Sequence, residues 1–423
     1  MNITGVIAEY NPFHNGHRYQ LQTARSGTQA DFILVIMNGD FMQRGIPALW
    51  NKYERAAMAI EHGADAVIEL PVLYGTASAE YFAFGGIQLL HQLHCISQVS
   101  FGCEIENLSL LQAVADFLIQ EPDSYRQLLN QQLSQGISYP KARANAILQT
   151  MPMDSVTASG LEVLLAEPNT ILAIEYLKAL TRLHSSIRPV PCLRTGSGYH
   201  NESLSDDFSS ATAIRKEYLR QGCTTALKPV LPASVYSALA SAYGNHTPIT
   251  MEDFYPYLQY ILWKPPCPLT DYLDISEDLG NRILSVYRPE YTYEQFVDAV
   301  ASRQYTYTRI SRALLHILLD IRKEEMLRQT ASNSMHYARL LAFRKEATPL
   351  LRELKLHSEI PIITKLTHGL RQLEEQENQD GLCLLKQDIA CAHLYEQTVA
   401  RRYGIPAANE YTKGILIQDS GHV

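Results

Sequence analysis

The chain has 423 residues, 46% of them hydrophobic and 19% charged, with a formal net charge of −8. That size and composition predict two or three domains with full cores and exclude disorder for the bulk of the chain. The longest unbroken apolar run, Phe32 to Met37, is six residues, against the ~18 of a membrane span, so no membrane partner is expected.

In chain order, the first half alternates apolar runs with helical patterns. Ile3–Glu9 is a short apolar run closed by the turn-forming Tyr10-Asn11-Pro12. Asp31–Met37 is almost continuously apolar, as a strand buried on both faces must be. Ala64–Leu70, Ser97–Gly102 and the weaker Ile187–Cys192 follow. The first four begin about thirty residues apart, the size of a βαβ unit. Helix-period segments separate them at Tyr53–His62 and Glu80–Leu93. Parallel strands with helical crossovers predict an α/β fold, a doubly wound, Rossmann-like sheet whose ligand crevice lies beyond the carboxyl ends of the strands.

Leu108–Gln149 reads as helical, and a further helix is expected from about Thr170 to Leu183. Beyond Gln221 the strand signals fade. Glu277–Tyr287, Tyr293–Ala301, Ile310–Lys323 and Leu384–Tyr403 carry the helical period, with Pro-rich joints at Pro265–Pro268 and near Pro349. Two domains are predicted: α/β over 1–225 and mostly α-helical over 226–423, with the residues after Gly414 loosely tethered. Between 301 and 355, eleven basic and five acidic residues leave +6 on that stretch and −14 on the rest. A basic stripe on an acidic chain is one footprint of a polyanionic partner, and equally a property of solvated helices.

Seven cysteines (95, 103, 192, 223, 267, 383 and 391) include no C-x-x-C pair. That spacing argues against a disulfide framework or a zinc knuckle. With no basic head or apolar core of a secretory signal at the amino end, a cytoplasmic location is expected.

The sharpest motif is Glu9-Tyr10-Asn11-Pro12-Phe13-His14-Asn15-Gly16-His17, placed right after the first strand. Pro12 and Asn11 force a turn, and Gly16 lets the backbone approach a ligand closely. A helix starting there offers unpaired amides and a positive dipole end to phosphate. His14 and His17, three positions apart, then face one side. As imidazolium or neutral donors they can contact phosphoryl oxygens whose charge grows as a leaving group departs. No metal site is expected, because the H-E-x-x-H spacing of a zinc protease is absent. A second constellation is Phe208–Lys216, where Ser209 or Ser210 can cap a helix carrying Thr212 and, one turn on, Arg215. Hydroxyls and a guanidinium at a helix start suit the outer phosphates of a nucleotide.

Together these two motifs resemble the signature of the nucleotidylyltransferase superfamily, with H-x-G-H at the first strand–helix turn and an S-T-x-x-R-like motif late in the domain. The likeness narrows over Val6–His17, Met37–Gly45, Gly63-Ala64-Asp65, Ile68–Pro71, Phe101-Gly102, Pro168–Leu172, Arg194–His200, Ser210–Arg215 and Tyr307–Arg312. These stretches resemble the tRNA(Met) cytidine acetate ligase family. One departure is Asn38-Gly39-Asp40, where that family usually reads Ser-Gly-Asn; Asp40 adds a negative charge near the expected crevice.

The resemblance implies a nucleotidylyltransferase-like, ATP-binding catalytic domain over 1–225 and a tRNA-binding role for 226–423. It implies an ATP-dependent ligase that activates acetate as acetyl-adenylate and acetylates N4 of the wobble cytidine of elongator tRNA(Met). ATP would contact Ile7, Ala8, Glu9, Tyr10, Asn11, Pro12, Phe13, His14, Asn15, Gly16, His17, Arg18, Tyr19 and Gln20, with Gly102, Asn169 and Arg194. His14 and His17 would be catalytic, and Arg215 with Ser210 and Thr212 would hold the pyrophosphate side, with Mg2+ from solvent. The tRNA anticodon loop would meet Arg309, Arg312, Arg344 and Lys345, where cations interleave with Tyr305 and Tyr307. No stable protein partner is implied. Two rival readings share the first motif: a nucleotidylyltransferase acting on a small phosphorylated metabolite, and a non-catalytic, nucleotide-regulated RNA-binding protein.

Overall fold

The computed structural model describes residues 1–152, 160–162, 165–194 and 209–419. Five parallel strands, β1 (Ile3–Ala8), β2 (Phe32–Asn38), β3 (Ala66–Leu70), β4 (Gln98–Cys103) and β5 (Arg188–Leu193), lie in the order β5-β4-β1-β2-β3. Each falls within two residues of an expected apolar run. In β2, Ile33, Val35 and Met37 pack with Val6 and Ala8 on one face, while Leu34 and Ile36 pack with Ile3 and Ile7 on the other. Both faces are therefore covered, which is why these runs are apolar without alternation. The crossovers include helices α1 (Asn15–Thr28), α2 (Lys52–Glu61), α3 (Ala79–Gln92) and α4 (Pro168–Arg182), and the chain then enters α5 (Ala211–Gln221). Because β1 pairs with β2 on one side and β4 on the other, the winding reverses between β1 and β4. A crevice opens where the order switches in this way.

The second half is mostly helical, as expected, and adds three strands that the sequence reading did not mark. Strand β6 (Ala338–Arg344) runs antiparallel on β3, and β7 (Ile362–Ile363) and β8 (Leu416–Gln418) pair with β6. Among the described residues after Gly414, Leu416–Gln418 are thus tied to the sheet as β8 rather than loosely tethered. The boundary expected at 225 falls in a short 3-10 turn, Thr225–Leu227, and the sheet continues across it. One apolar cluster joins Ile36 and Ile68 of the first half to Leu314 of α6 (Tyr307–Leu319) and Leu385 of α7 (Gln379–Tyr403).

Strand β6 escaped sequence reading because Arg339 interrupts its apolar run. In the structure that arginine is buried in a closed ring of charges. Lys52 contacts Glu69 at 2.8 Å and Glu410 at 3.1 Å, and Arg339 contacts Glu69 at 3.0 Å and also Glu410. Two cations and two carboxylates cancel, which is the condition for burying such groups. Burial alone would raise the Glu410 carboxyl, but Lys52 and Arg339 override it and hold the group at about 2.

A third buried cation fixes the strand ends. Arg55, 1% exposed, donates Nε to the Trp50 carbonyl at 3.0 Å, Nη1 to the Glu9 carbonyl at 2.7 Å, and Nη2 to the Asn38 carbonyl at 3.0 Å and to that of Gly39. Buried carbonyls need partners, and only a planar fork of donors reaches all four. Arg55→Lys should therefore lower unfolding stability by about 2–4 kcal/mol, read by urea denaturation.

Candidate functional site

A cavity of about 190 Å³ opens at the carboxyl ends of β1 and β4, where the sheet order reverses. Its floor is Ile7, Ala8, Glu9 and Tyr10 from β1 and the turn after it, with Phe101 and Gly102 from β4. Helix α4 contributes Asn169 and Tyr176, the end of β5 contributes Arg194, and the start of α5 contributes Ser210, Thr212 and Arg215.

The turn after β1 is built tightly. Tyr10 adopts a left-handed φ of 50°, and its buried ring meets His17 edge-on at 4.8 Å and Phe13 at 5.0 Å. His14 caps α1: its Nδ1 accepts the Gly16 amide at 3.1 Å, while His17 Nδ1 accepts the His14 amide at 3.3 Å. The two rings stack with centroids 3.6 Å apart. Because both Nδ1 atoms accept, each neutral ring carries its proton on Nε2. Burial, then Arg194 and Arg215, push the His14 imidazole down to about 3. Burial, then His14 and Arg194, hold His17 well below the usual imidazole range. The pair is neutral at physiological pH and offers two N–H donors.

The expectation of free helix amides is corrected by the same geometry. The Asn15 amide donates to the Val230 carbonyl at 3.1 Å, the Gly16 amide to the His14 ring, and the His17 and Arg18 amides to the His14 carbonyl at 2.9 and 3.1 Å. The first-turn amides are occupied, so the donors at this corner are imidazoles and guanidinium groups. Arg215 donates Nη1 to the Asn11 carbonyl at 2.7 Å and Nη2 to Thr212 Oγ1 at 3.1 Å, clamping α5 to the turn. Burial lowers the Arg215 guanidinium to about 10, leaving it cationic. Ser210 Oγ accepts the Ala213 amide at 3.1 Å, as a helix cap should. Asn169 is oriented by Glu104, to which it donates Nδ2 at 2.7 Å, while Thr170 donates to the other oxygen at 2.8 Å.

The structure brings Ile7, Ala8, Glu9, Tyr10, Asn11, His14, His17, Gln20, Gly102, Asn169, Arg194, Ser210, Thr212 and Arg215 to one cavity. Gly16 and Tyr19 line a smaller recess beside it. Pro12 and Phe13 are buried behind the turn, Asn15 donates to the Pro229 carbonyl, and Arg18 is exposed. Of the other motif residues, 195–200 and Phe208 lie outside the described residues. Asp40 is buried away from the cavity, where Oδ1 accepts the Lys52 amide at 2.7 Å, the first amide of α2, while Asn51 caps that helix. Burial pushes the Asp40 carboxyl up to about 7.

The sequence reading missed Gln43, Arg44, Phe82, Leu172 and Tyr176 in the cavity wall. Leu172 and Tyr176 are one helical turn apart, a spacing that reads only as core. Gln43 and Arg44 sit on a loop seated against α6. Gly45 there has φ 74°, and a Cβ on it would lie 2.3 Å from the Arg312 amide nitrogen. The loop that carries Gln43 and Arg44 thus packs on the backbone of α6 at Ser311 and Arg312.

Members of the basic stripe are placed apart. Arg309 stands over the Tyr305 ring at 5.4 Å, and Arg312 pairs with Asp274 at 2.5 Å. Arg344 donates to the carbonyls of Ile60 and Ala64, and Lys345 contacts Asp419 at 3.2 Å. Because β6 is antiparallel to β3, Arg344 and Lys345 lie at the opposite end of the sheet from the cavity. Tyr305 is buried and Tyr307 exposed.

Paired neutral imidazoles, three arginines and a hydroxyl-bearing helix start at the switch point of a doubly wound sheet define a nucleotide-handling protein of the H-x-G-H type. The HIGH Nucleotidyl Transferase family model matches residues 1–405. The tRNA(Met) cytidine acetate ligases of Halothermothrix orenii and Acetivibrio thermocellus are 36% and 35% identical, covering 99% of this chain and 99% and 100% of theirs. Two crystal structures of Thermotoga maritima TmcAL, one apo and one bound with alpha-thio ATP, match with TM-scores of 0.91 and 0.89. They are 29% and 28% identical and cover 99% of this chain and 100% of theirs. The chain belongs to the tRNA(Met) cytidine acetate ligase family.

The buried imidazole pair makes a checkable statement. In proton-detected titrations, the His14 and His17 ring resonances should keep neutral-form positions from about pH 8 to about pH 5, while an exposed histidine moves through its ordinary range near 6.5. An ATP analogue, adding negative charge beside both rings, should shift their titration upward.

Proposed function

We propose that the protein is an ATP-dependent ligase. It joins acetate to the α-phosphate of ATP, releases pyrophosphate, and passes the acetyl group from acetyl-adenylate to N4 of the wobble cytidine of elongator tRNA(Met). The observation that carries this reading is the locked imidazole pair beside Arg194 and Arg215 in the switch-point cavity. Full-length relatives named tRNA(Met) cytidine acetate ligase support its specific form.

The chemistry suits these groups. The cytidine amine is a weak nucleophile because its lone pair is delocalised, and acetate is a poor acyl donor, so adenylation supplies the missing leaving group. Charge builds on the α-phosphoryl oxygens as the acetate oxygen attacks. The two Nε2–H donors, already fixed by stacking and by their Nδ1 bonds, need no reorganisation to meet it. Arg215, held by Asn11 and Thr212, neutralises the departing pyrophosphate together with Ser210 and Thr212. The apolar wall of Phe82, Phe101 and Leu172 limits water around an anhydride that hydrolyses readily.

Among the described residues the cavity lining holds one carboxylate, Glu9, and no group of three His, Cys, Asp or Glu side chains is placed to hold a metal ion. The described residues therefore do not fit a protein-held Mg2+ site, and no step runs through one; Mg2+ arrives with the triphosphate. We place the anticodon loop against the amino end of α6, where Arg309 and exposed Tyr307 lie about one helical turn before the Ser311–Arg312 backbone on which the loop carrying Gln43 and Arg44 packs at Gly45. Arg312 supports that helix end through Asp274, whereas Arg344 and Lys345 would meet the tRNA body away from the reacting base. On this reading residues 1–225 carry the adenylation machinery and 226–423 most of the tRNA surface. The enzyme acts in the cytoplasm, in keeping with seven free cysteines and with no described helix long and apolar enough to cross a membrane.

His17→Ala should lower acetate-dependent exchange of labelled pyrophosphate into ATP by on the order of 10²–10³; exchange at the wild-type rate removes the imidazole pair from the first step. In a separate measurement, tRNA affinity should fall steeply with salt, and Arg309→Ala should reduce the slope of log affinity against log salt by about one.

A further inference from the structure

We propose that Glu9 is the proton acceptor of the acetyl-transfer step, with one of its carboxylate oxygens taking the proton that the cytidine N4 amine must lose. The inference rests on the ligase reading and assigns a second chemical role within the same cavity.

The step itself requires such a group. The N4 nitrogen forms a bond to the acetyl carbonyl carbon, and the bond from that carbon to the adenylate oxygen breaks, its electron pair leaving with AMP. The nitrogen starts with two protons and ends with one, so one proton passes to a base. AMP departs as a stabilised phosphate anion and needs no proton.

The cavity offers few lone pairs for this purpose. In His14 and His17 each Nδ1 already accepts a backbone amide, and each Nε2 carries the ring proton. Arg44, Arg194 and Arg215 are cations with no acceptor. Burial raises the Tyr10 and Tyr176 phenols far above the working range, so both remain neutral. Glu9 is the only carboxylate among the described lining residues.

Its position is also fixed from two sides. The Glu9 carbonyl is held by Arg55 Nη1 at 2.7 Å. Within its carboxylate, Oε1 accepts the Gln43 amide at 2.7 Å and Asn38 Nδ2 at 3.2 Å. Every hydrogen bond the described residues donate to this carboxylate ends on Oε1, which leaves Oε2 for a ligand. A purely structural glutamate would have no need to face a cavity that also receives a triphosphate, where its charge is a cost offset by Arg44 and Arg215.

The test separates the two half-reactions in the full-length enzyme. Acetate-dependent ATP–pyrophosphate exchange reports the first, and single-turnover transfer of labelled acetate to tRNA(Met) transcript reports the second. Glu9→Gln keeps the size and the Oε1 acceptor but removes the basic oxygen. It should lower the ratio of transfer to exchange by on the order of 10² or more. Glu9→Asp should recover part of that ratio. Hydroxylamine, a strong nucleophile that needs no such base, should intercept acetyl-adenylate on the Glu9→Gln enzyme at an unchanged ratio to exchange. An unchanged ratio for tRNA in Glu9→Gln, or an equal fall for tRNA and hydroxylamine, overturns the assignment. Absence of acetate-dependent exchange in the wild-type enzyme overturns the ligase reading itself.

Discussion

The guanidinium of Arg55 sets the geometry on which the rest of the site depends. Parallel strands end with carbonyls pointing past the sheet, and here those of Glu9, Asn38 and Gly39 converge with that of Trp50 on one buried side chain. Satisfying them from inside, rather than by water, holds the ends of β1 and β2 in a single arrangement. The turn after β1 inherits that rigidity. Tyr10, Phe13 and the two histidines pack as a block above it, and Arg215 closes the block from the far side through the Asn11 carbonyl.

The imidazole pair shows how backbone geometry decides protonation. A histidine at a helix start can in principle be an imidazolium aided by free amides. Here each Nδ1 is consumed by an amide, and the helix's own donors are consumed in turn, one of them by a carbonyl more than two hundred residues away. What remains is a pair of neutral donors flanked by fixed positive charge from Arg194 and Arg215. That combination favours an anion without requiring the imidazoles to ionise, so the site's electrostatics do not hinge on the ambient pH near neutrality.

The five parallel strands were legible because burial on both faces leaves an unbroken apolar run, and the Pro and Gly around His14 marked the turn. Family resemblance, more than spacing, singled out Gly102, Asn169 and Arg194, which the fold then gathers into one cavity. Strand β6 was illegible because its buried Arg339 looks like surface charge until Glu69 and Glu410 are placed beside it. Arg55 was hidden for the same reason: in sequence it is one more polar position on an amphipathic helix. The occupied amides of α1 could not be read at all, since their partners depend on ring orientation and on Val230. Tyr176 and Leu172 read as core because a cavity wall and a core share the same periodicity.

The ring of Lys52, Glu69, Arg339 and Glu410 has a consequence for biosynthesis. Its first two members stand at positions 52 and 69 and so leave the ribosome well before the third, at 339, and the fourth, at 410. Until residue 410 is free, the other three carry one uncompensated positive charge in a place that excludes water. Domains tend to fold as they are made, but this sheet can reach its charge-balanced edge only once residue 410 has been made. Such an arrangement makes charge balance at this sheet edge depend on the stretch through Glu410, and not on the amino-terminal portion alone.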